Sequence, residues 1–252
     1  MVAGIGCADP PSGMTREAYF RKLQLLEIGA TTTRPPRPSV LEKWRNEAPP
    51  HAIFTMNAWR ILTDEPTTED MKRLAVSPAD PADHPGLLRV NQAAHLAWTQ
   101  VHAAAKALAA EAIVFRTPPS FFPTQSNRER LRRFFTELVV APDTVIVWEP
   151  QGMWEVEVAA RLATDLGLVL AYDPLQLEEP APVIASAYLR IRGMGLHRGR
   201  LTDQRFDKIL TAASQHSQVW IVLATAERYR DAVRLRELLQ ESASNDQPGT
   251  CI

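Results

Sequence analysis

Cysteine is nearly missing from this chain: 252 residues hold two, Cys7 and Cys251, at opposite ends. That excludes a disulfide scaffold and points to a reducing compartment, the cytoplasm. Long apolar runs are missing too. None approaches the roughly 18 residues that span a bilayer. The N-terminal MVAGIGCADPP has neither the basic start nor the apolar stretch of a secretory leader, so none is expected. Nor is there an excess of one charge. Lys plus Arg is 28 and Asp plus Glu is 29, which leaves no global field to favour nucleic acid or a membrane surface. Metal-ligand spacings are absent: the six histidines (His51, His84, His95, His102, His197 and His216) form no H-x-H or H-E-x-x-H, and no C-x-x-C occurs. Nucleotide loops are absent as well. Gly4 and Gly6 sit inside an apolar run with no third glycine to complete G-x-G-x-x-G, and there is no P-loop. No cofactor is expected.

Proline is abundant: 20 of 252 residues, about 8% against a usual ~5%, which predicts sharply punctuated loops. Short apolar runs of strand length recur at 2–7, 23–29, 51–57, 112–117, 144–150, 166–173, 186–193 and 218–225. Their Val, Ile and Leu content suits strands buried on both faces. Helix-period segments separate most of them, among them the long 92–111 pattern and RERLRRFFTEL. In the latter, Leu131, Phe134, Phe135 and Leu138 form one amphipathic stripe, with Asn127 as the expected N-cap and Pro142 beyond the end. Eight strands, nearly all followed by helices, predict an α/β fold of the (β/α)8 type, a TIM barrel in one domain over residues 1–240 with a flexible tail over 241–252. Two segments interrupt it: a Pro/Asp-rich excursion over 60–90, and PLQLEEPAPV (174–183), too proline-rich for a full sixth crossover helix.

Several motifs run in order along nearly the whole chain: GIGCADPPSG, LEIGATTTRPPRPSVLEKWRNEAP, FTMNAWRILTDE, VFRTPPSFFPTQSNRERLRRFF, WEPQGMW, AYDP and YLRIRG. In these the sequence resembles the domain-of-unknown-function 72 (YecE-like) family of TIM-barrel proteins, most closely its archaeal-type branch. The resemblance implies the same barrel and names no reaction. It also implies other residues at several strand ends: Asn at Gly29, Lys at Asn57, His at Asp64, Gln at Arg116, Arg at Gln151, His at Arg192 and an Asn pair at Ala224–Thr225. The carboxylates Glu27, Glu149 and Asp173 keep the family pattern, so the chain reads as a diverged paralogue.

In such barrels functional groups sit at the C-terminal ends of strands. Strand period two puts Arg116, Arg190 and Arg192 on the same side as Glu27, Glu149 and Asp173. Arginine's bidentate fork suits a phosphate or carboxylate. The same six residues could equally be an internal ion network, since buried arginines must be paired. Asn57, Gln151 and Trp154 complete the expected ligand set. Glu27 and Glu149 are the candidates for acid/base work on a glycosidic or phosphoester bond, although neighbouring arginines would lower their pKa values. Cys7 reads as a small buried hydrophobe, His197 as a loop residue, and His95 and His102 as one helix face. Trp59 and Trp154 are either roofs of the pocket or loop packing. The basic run Arg128, Arg130, Arg132 and Arg133 reads as a solvated helix face without interleaved stacking aromatics. Three functions follow: a barrel binding a small anion at its mouth, a hydrolase, or a non-catalytic paralogue with a protein partner.

Overall fold

The computed structural model describes residues 1–74, 80, 83–141, 143–178, 182–193 and 201–245. Its strands are β1 (Val2–Ala8), β2 (Leu25–Ile28), β3 (Ile53–Asn57), β4 (Ala112–Thr117), β5 (Val145–Pro150), β6 (Val169–Tyr172), β7 (Ser186–Ile191) and β8 (Gln218–Leu223). All pair in parallel and in chain order, and β8 returns to β1 to close the barrel. The helices are α1 (Arg16–Phe20), α2 (Pro38–Asn46), α3 (Thr68–Leu74), α4 (Gln92–Leu108), α5 (Gln125–Arg133), α6 (Val156–Asp165), α7 (Asp203–Ser214) and α8 (Arg228–Asn245). None is long and apolar enough to cross a membrane among the described residues.

Period two divides the apolar residues into two cores. Inside the barrel Leu25, Ala112, Val114, Val147, Ala171, Tyr188, Trp220 and Val222 pack together, and the remaining core lies between sheet and helices. Closure at β1 depends on glycine. A Cβ on Gly6 would fall 1.7 Å from the Leu25 carbonyl, and one on Gly4 would press on Ile53 at 3.1 Å. Trp220 fills the lower interior and donates its indole N–H to Glu111 at 2.7 Å.

Caps set the helix starts: the side chains of Thr15, Asn91 and Thr124 accept backbone N–H groups of α1, α4 and α5. The N-cap of α5 is therefore Thr124, not Asn127. Thr124 has the extended backbone a cap needs, whereas Asn127 is already helical and donates its side-chain amide to the Phe122 carbonyl. The expected stripe of Leu131, Phe134, Phe135 and Leu138 is buried. Its end widens into a π turn over Phe134–Leu138, which lets two successive rings, Phe134 and Phe135, both pack edge-on against Phe115.

Among the described residues the sixth crossover holds only a short 3-10 turn, Pro174–Gln176. The segment after β3 is more structured than its composition suggests: a 3-10 turn (Arg60–Leu62), then α3. Asp70 ties the two by accepting from Arg60 and Thr67, and Leu88 returns to the Leu62 carbonyl. At the other end α8 continues to Asn245, into the stretch expected to be a frayed tail, and residues 246–252 lie outside those described. Pro142 and His197 lie outside them as well.

Candidate functional site at the barrel mouth

The upper ends of the strands bring Glu27 (β2), Asn57 (β3), Arg116 (β4), Glu149 (β5) and Arg190 (β7) to one end of the barrel, with Asp173 and Arg192 just beyond β6 and β7. In the β4–β5 ladder Arg116 stands beside Glu149.

On the axis, Glu27 is fully buried and completely engaged. Arg190 grips it through Nε at 3.1 and 3.2 Å and Nη2 at 3.0 Å. The Tyr188 hydroxyl donates at 2.9 Å, and the Asn57 amide reaches it at 3.4 Å. Burial pushes the Glu27 carboxyl up, but the Arg190 charge and the hydrogen bonds from Arg190 and Tyr188 outweigh it and hold the group below its ordinary value. The Tyr188 hydroxyl is pushed far up by its own burial and by that carboxylate. Tyr188 lies two residues before Arg190 on β7 and so shares its inward face.

Glu149 collects the remaining arginines. Arg116 Nε lies 2.9 Å from Oε2, while Arg192 Nη1 and Arg190 Nη1 lie 3.6 and 3.9 Å from Oε1. The Arg116 contact is close but misaligned, so it is an ion pair without a hydrogen bond, and both atoms keep unused hydrogen-bonding capacity. Three guanidinium groups thus face two carboxylates. Asp173 does not redress the balance by ion pairing. Its oxygens accept the backbone N–H groups of Arg192 (2.9 Å) and Leu175 (3.0 Å) and the Gln176 amide (3.1 Å), fixing the turn after β6. Burial raises its carboxyl against those bonds. Arg116 and Arg192 are about a third exposed (31% and 32%), whereas Arg190 is 8%.

Beside the axis, above β3 and β4, lies a cavity of about 210 Å³. Asn57, Arg116 and Gln151 line it together with Arg60 and Asp64. Asn57 donates its amide to Glu27, leaving Oδ1 buried with no partner among the described residues; an unsatisfied acceptor of this kind costs about 1–3 kcal/mol. The Asp64 carboxylate accepts from Thr63 Oγ1 at 3.1 Å. Burial raises it, against that bond and the charges of Arg60 and Arg116. Two glycines shape the walls. Gly86 (φ +109°) lies where a Cβ would be 2.3 Å from the Asp64 carbonyl, and Gly152 (φ +83°) where a Cβ would be 2.7 Å from the Pro119 carbonyl. Gly29, where the resemblance implies Asn, leaves its place to Asp9: a Cβ there would meet the Asp9 carboxylate at 2.3 Å. Asp9 accepts the Gly29 N–H.

The other candidates lie elsewhere. Trp154 donates its indole N–H to the Phe121 carbonyl at 2.7 Å and packs edge-on against Trp148, so it braces the β4 and β5 loops away from the cavity wall. Trp59 is fully buried. Cys7 is buried against Tyr19, and burial pushes its thiol up to about 11, the opposite of an activated nucleophile. Among the described residues no three His, Cys, Asp or Glu side chains gather as a metal site. Sequence reasoning missed Arg60 as a wall residue and marked Asp64 only as a strand-end departure from the family pattern, because both come from irregular backbone after β3 where no periodicity predicts direction.

The sequence matches the family described as protein of unknown function DUF72 over residues 10–250. No curated protein matches it. Among solved structures, a DUF72 family protein of Enterococcus faecalis superposes with a TM-score of 0.66 at 13% identity, covering 95% of this chain and 98% of that one. A xylose isomerase domain protein of Planctomyces limnophilus gives 0.57 at 12% identity, with 96% of each chain covered. Endonuclease IV of Thermus thermophilus gives 0.53 at 14% identity, covering 94% and 98%. At these identities the likenesses speak for the barrel alone.

Proposed function

The chain belongs to the family of proteins of unknown function DUF72, and on that premise we propose that its barrel binds a small anionic ligand at the C-terminal mouth. The observation that carries this reading is the pair of under-used guanidinium groups beside one buried carboxylate. Arg116 and Arg192 reach Glu149 at 2.9 and 3.6 Å without a hydrogen bond to it, and both are about a third exposed, whereas Arg190 is spent on Glu27. In this reading Arg116 and Arg192 meet the anion, a phosphate or carboxylate, as bidentate donors. Glu27 and Glu149 hold the arginines in place, and Asp173 orients Arg192 through its backbone N–H. Asn57 and Gln151 supply neutral polar contacts, and Trp154 braces the loop that carries Gln151. We read the compartment as the cytoplasm, supported by the scarcity of cysteine.

Of the two acid/base candidates, the hydrolytic alternative keeps one. Glu27 is saturated and held ionised, so Glu149 would have to act alone, and Glu149→Gln should then abolish turnover of a phosphoester while sparing binding.

The test is a thermal-shift screen against phosphate, phosphate esters and carboxylates. A ligand at about 100 times its Kd stabilises by about 2.7 kcal/mol, which raises the melting temperature of a chain this size by roughly 5–10 °C. Arg192→Ala should remove that shift and barely change the free protein. A flat screen, with Arg192→Ala itself unfolding the barrel, would overturn the proposal and leave the arginines as internal struts; a protein partner would then be the reading to pursue.

A further inference from the structure

Resting on the anion reading above, we infer that the off-axis cavity selects a hydroxylated anion of a few carbons, with Asp64 as the residue that recognises the hydroxyl. Size sets the first limit. The cavity is about 210 Å³. It lies below the ~300–1,000 Å³ of pockets that hold drug-sized ligands. What enters it is a group of a few carbons, such as a hydroxy acid like glycerate or a glycerol phosphate.

Polarity sets the second. Arg116, on the β4 wall, has one ion-pair partner among the described residues, Glu149, and that contact is not a hydrogen bond. Its fork is available to an anionic group. The wall that rises from the turn after β3 carries Asp64, whose first carboxylate oxygen accepts from Thr63 while the second accepts no hydrogen bond among the described residues. A carboxylate on the wall of an anion site repels a bare anion. It is accommodated when the ligand carries a hydrogen-bond donor next to its charge. An ammonium donor would meet Asp64 but also stand near the guanidinium groups of Arg60 and Arg116, so the donor we assign is a neutral hydroxyl, with serine as the opposing case in the test. Asp64 is held firmly for this task. Its N–H donates to the Arg60 carbonyl at 2.8 Å, Gly86 packs on its carbonyl, and Arg60 is itself tied to Asp70 at 3.1 Å.

The experiment is titration calorimetry of the full chain with matched pairs: glycolate against acetate, glycerate against propionate, glycerol phosphate against inorganic phosphate, and serine as the ammonium arm. The hydroxylated member of a pair should bind about 10- to 100-fold more tightly, the range expected when a buried polar group would otherwise go unmatched. Asp64→Ala should bring the members of each pair together in affinity, Asp64→Asn should narrow the gap, and Arg116→Ala should weaken both members alike. Unchanged melting temperatures would show that the variants fold. The carboxylate and phosphate arms tell which anionic group the cavity takes. Equal binding within every pair, a preference for serine, or a preference that survives in Asp64→Ala would overturn the role of Asp64 and leave the anion site standing. Failure of every anion to bind the folded wild-type chain would overturn both.

Discussion

Two arginine–carboxylate clusters lie side by side at the barrel mouth, and they differ in what they leave unspent. On the axis, Arg190 and Glu27 are 8% and 0% exposed and satisfy one another with three short contacts, completed by Tyr188. Two strands away, Arg116 touches Glu149 without a hydrogen bond and opens onto a cavity whose far wall holds Asp64. The first cluster is closed and can only hold the barrel together. The second keeps donors and acceptors free at a concave surface, which is what recognition requires. The same residue types are structural in one place and, as we propose, functional in the other because of exposure and alignment.

That contrast can be broken most forcefully on the axis. Glu27→Ala strands the Arg190 charge in the interior and should cost about 3–5 kcal/mol, read as a fall of roughly 10 °C in melting temperature. Replacing the pair together by Leu and Met should recover most of the loss, as expected when an ion pair is a packing element. A small effect of Glu27→Ala would show that the axis is wetter and more adaptable than its burial implies.

Next in size is Gly152→Ala. Its positive φ and the Pro119 carbonyl 2.7 Å from the added methyl should cost about 1–3 kcal/mol in urea unfolding and displace the β5 loop at the cavity edge. Anion binding should weaken with it.

Acid titration separates the clusters by sign. The Glu27 carboxyl is held below its ordinary value when folded. Its contribution is therefore fully present above the unfolded value near 4.5 and is lost as pH falls through the lower folded value. Asp64 and Asp173 are raised, so the folded state binds their protons more tightly and each gains relative stability as pH falls toward its unfolded value. Each group can contribute a slope of at most about 1.4 kcal/mol per pH unit. Glu27→Gln should flatten the acid loss of stability, and Asp173→Asn should steepen the fall that remains. Urea midpoints between pH 3 and 6 measure both.

The smallest effect on folding belongs to the open cluster. Arg192→Ala, at a side chain a third exposed and 3.6 Å from its partner, should change stability by about 0.5–1 kcal/mol at most, while abolishing the ligand-induced shift. A large loss of stability instead would move Arg192 into the closed cluster.

Much of this was legible in one dimension. The alternation of apolar runs and helical periods predicts the barrel, because parallel strands buried on both faces must be joined by crossovers. Period two placed Glu27, Arg116, Glu149 and Arg190 on the inner side, where they are found. Trp154 was less legible, since an indole beside a strand end can roof a pocket or brace a loop; its N–H on the Phe121 carbonyl makes it a brace. Asp173 likewise looked like one of three counter-charges, yet its oxygens go to backbone N–H groups. The helix cap moved from Asn127 to Thr124 because capping depends on backbone angles that composition does not specify.

The sequence by itself determined the barrel, the strand that carries each inward side chain and the end at which the charges gather, because these follow from periodicity and chain order. Only the tertiary structure decided how those charges divide. Whether an arginine is saturated or available depends on distances of a few tenths of an ångström and on which irregular segment closes over it. That segment, the turn after β3 bearing Arg60 and Asp64, is positioned by contacts between residues far apart in the chain and by Gly86, where a side chain would strike the Asp64 carbonyl.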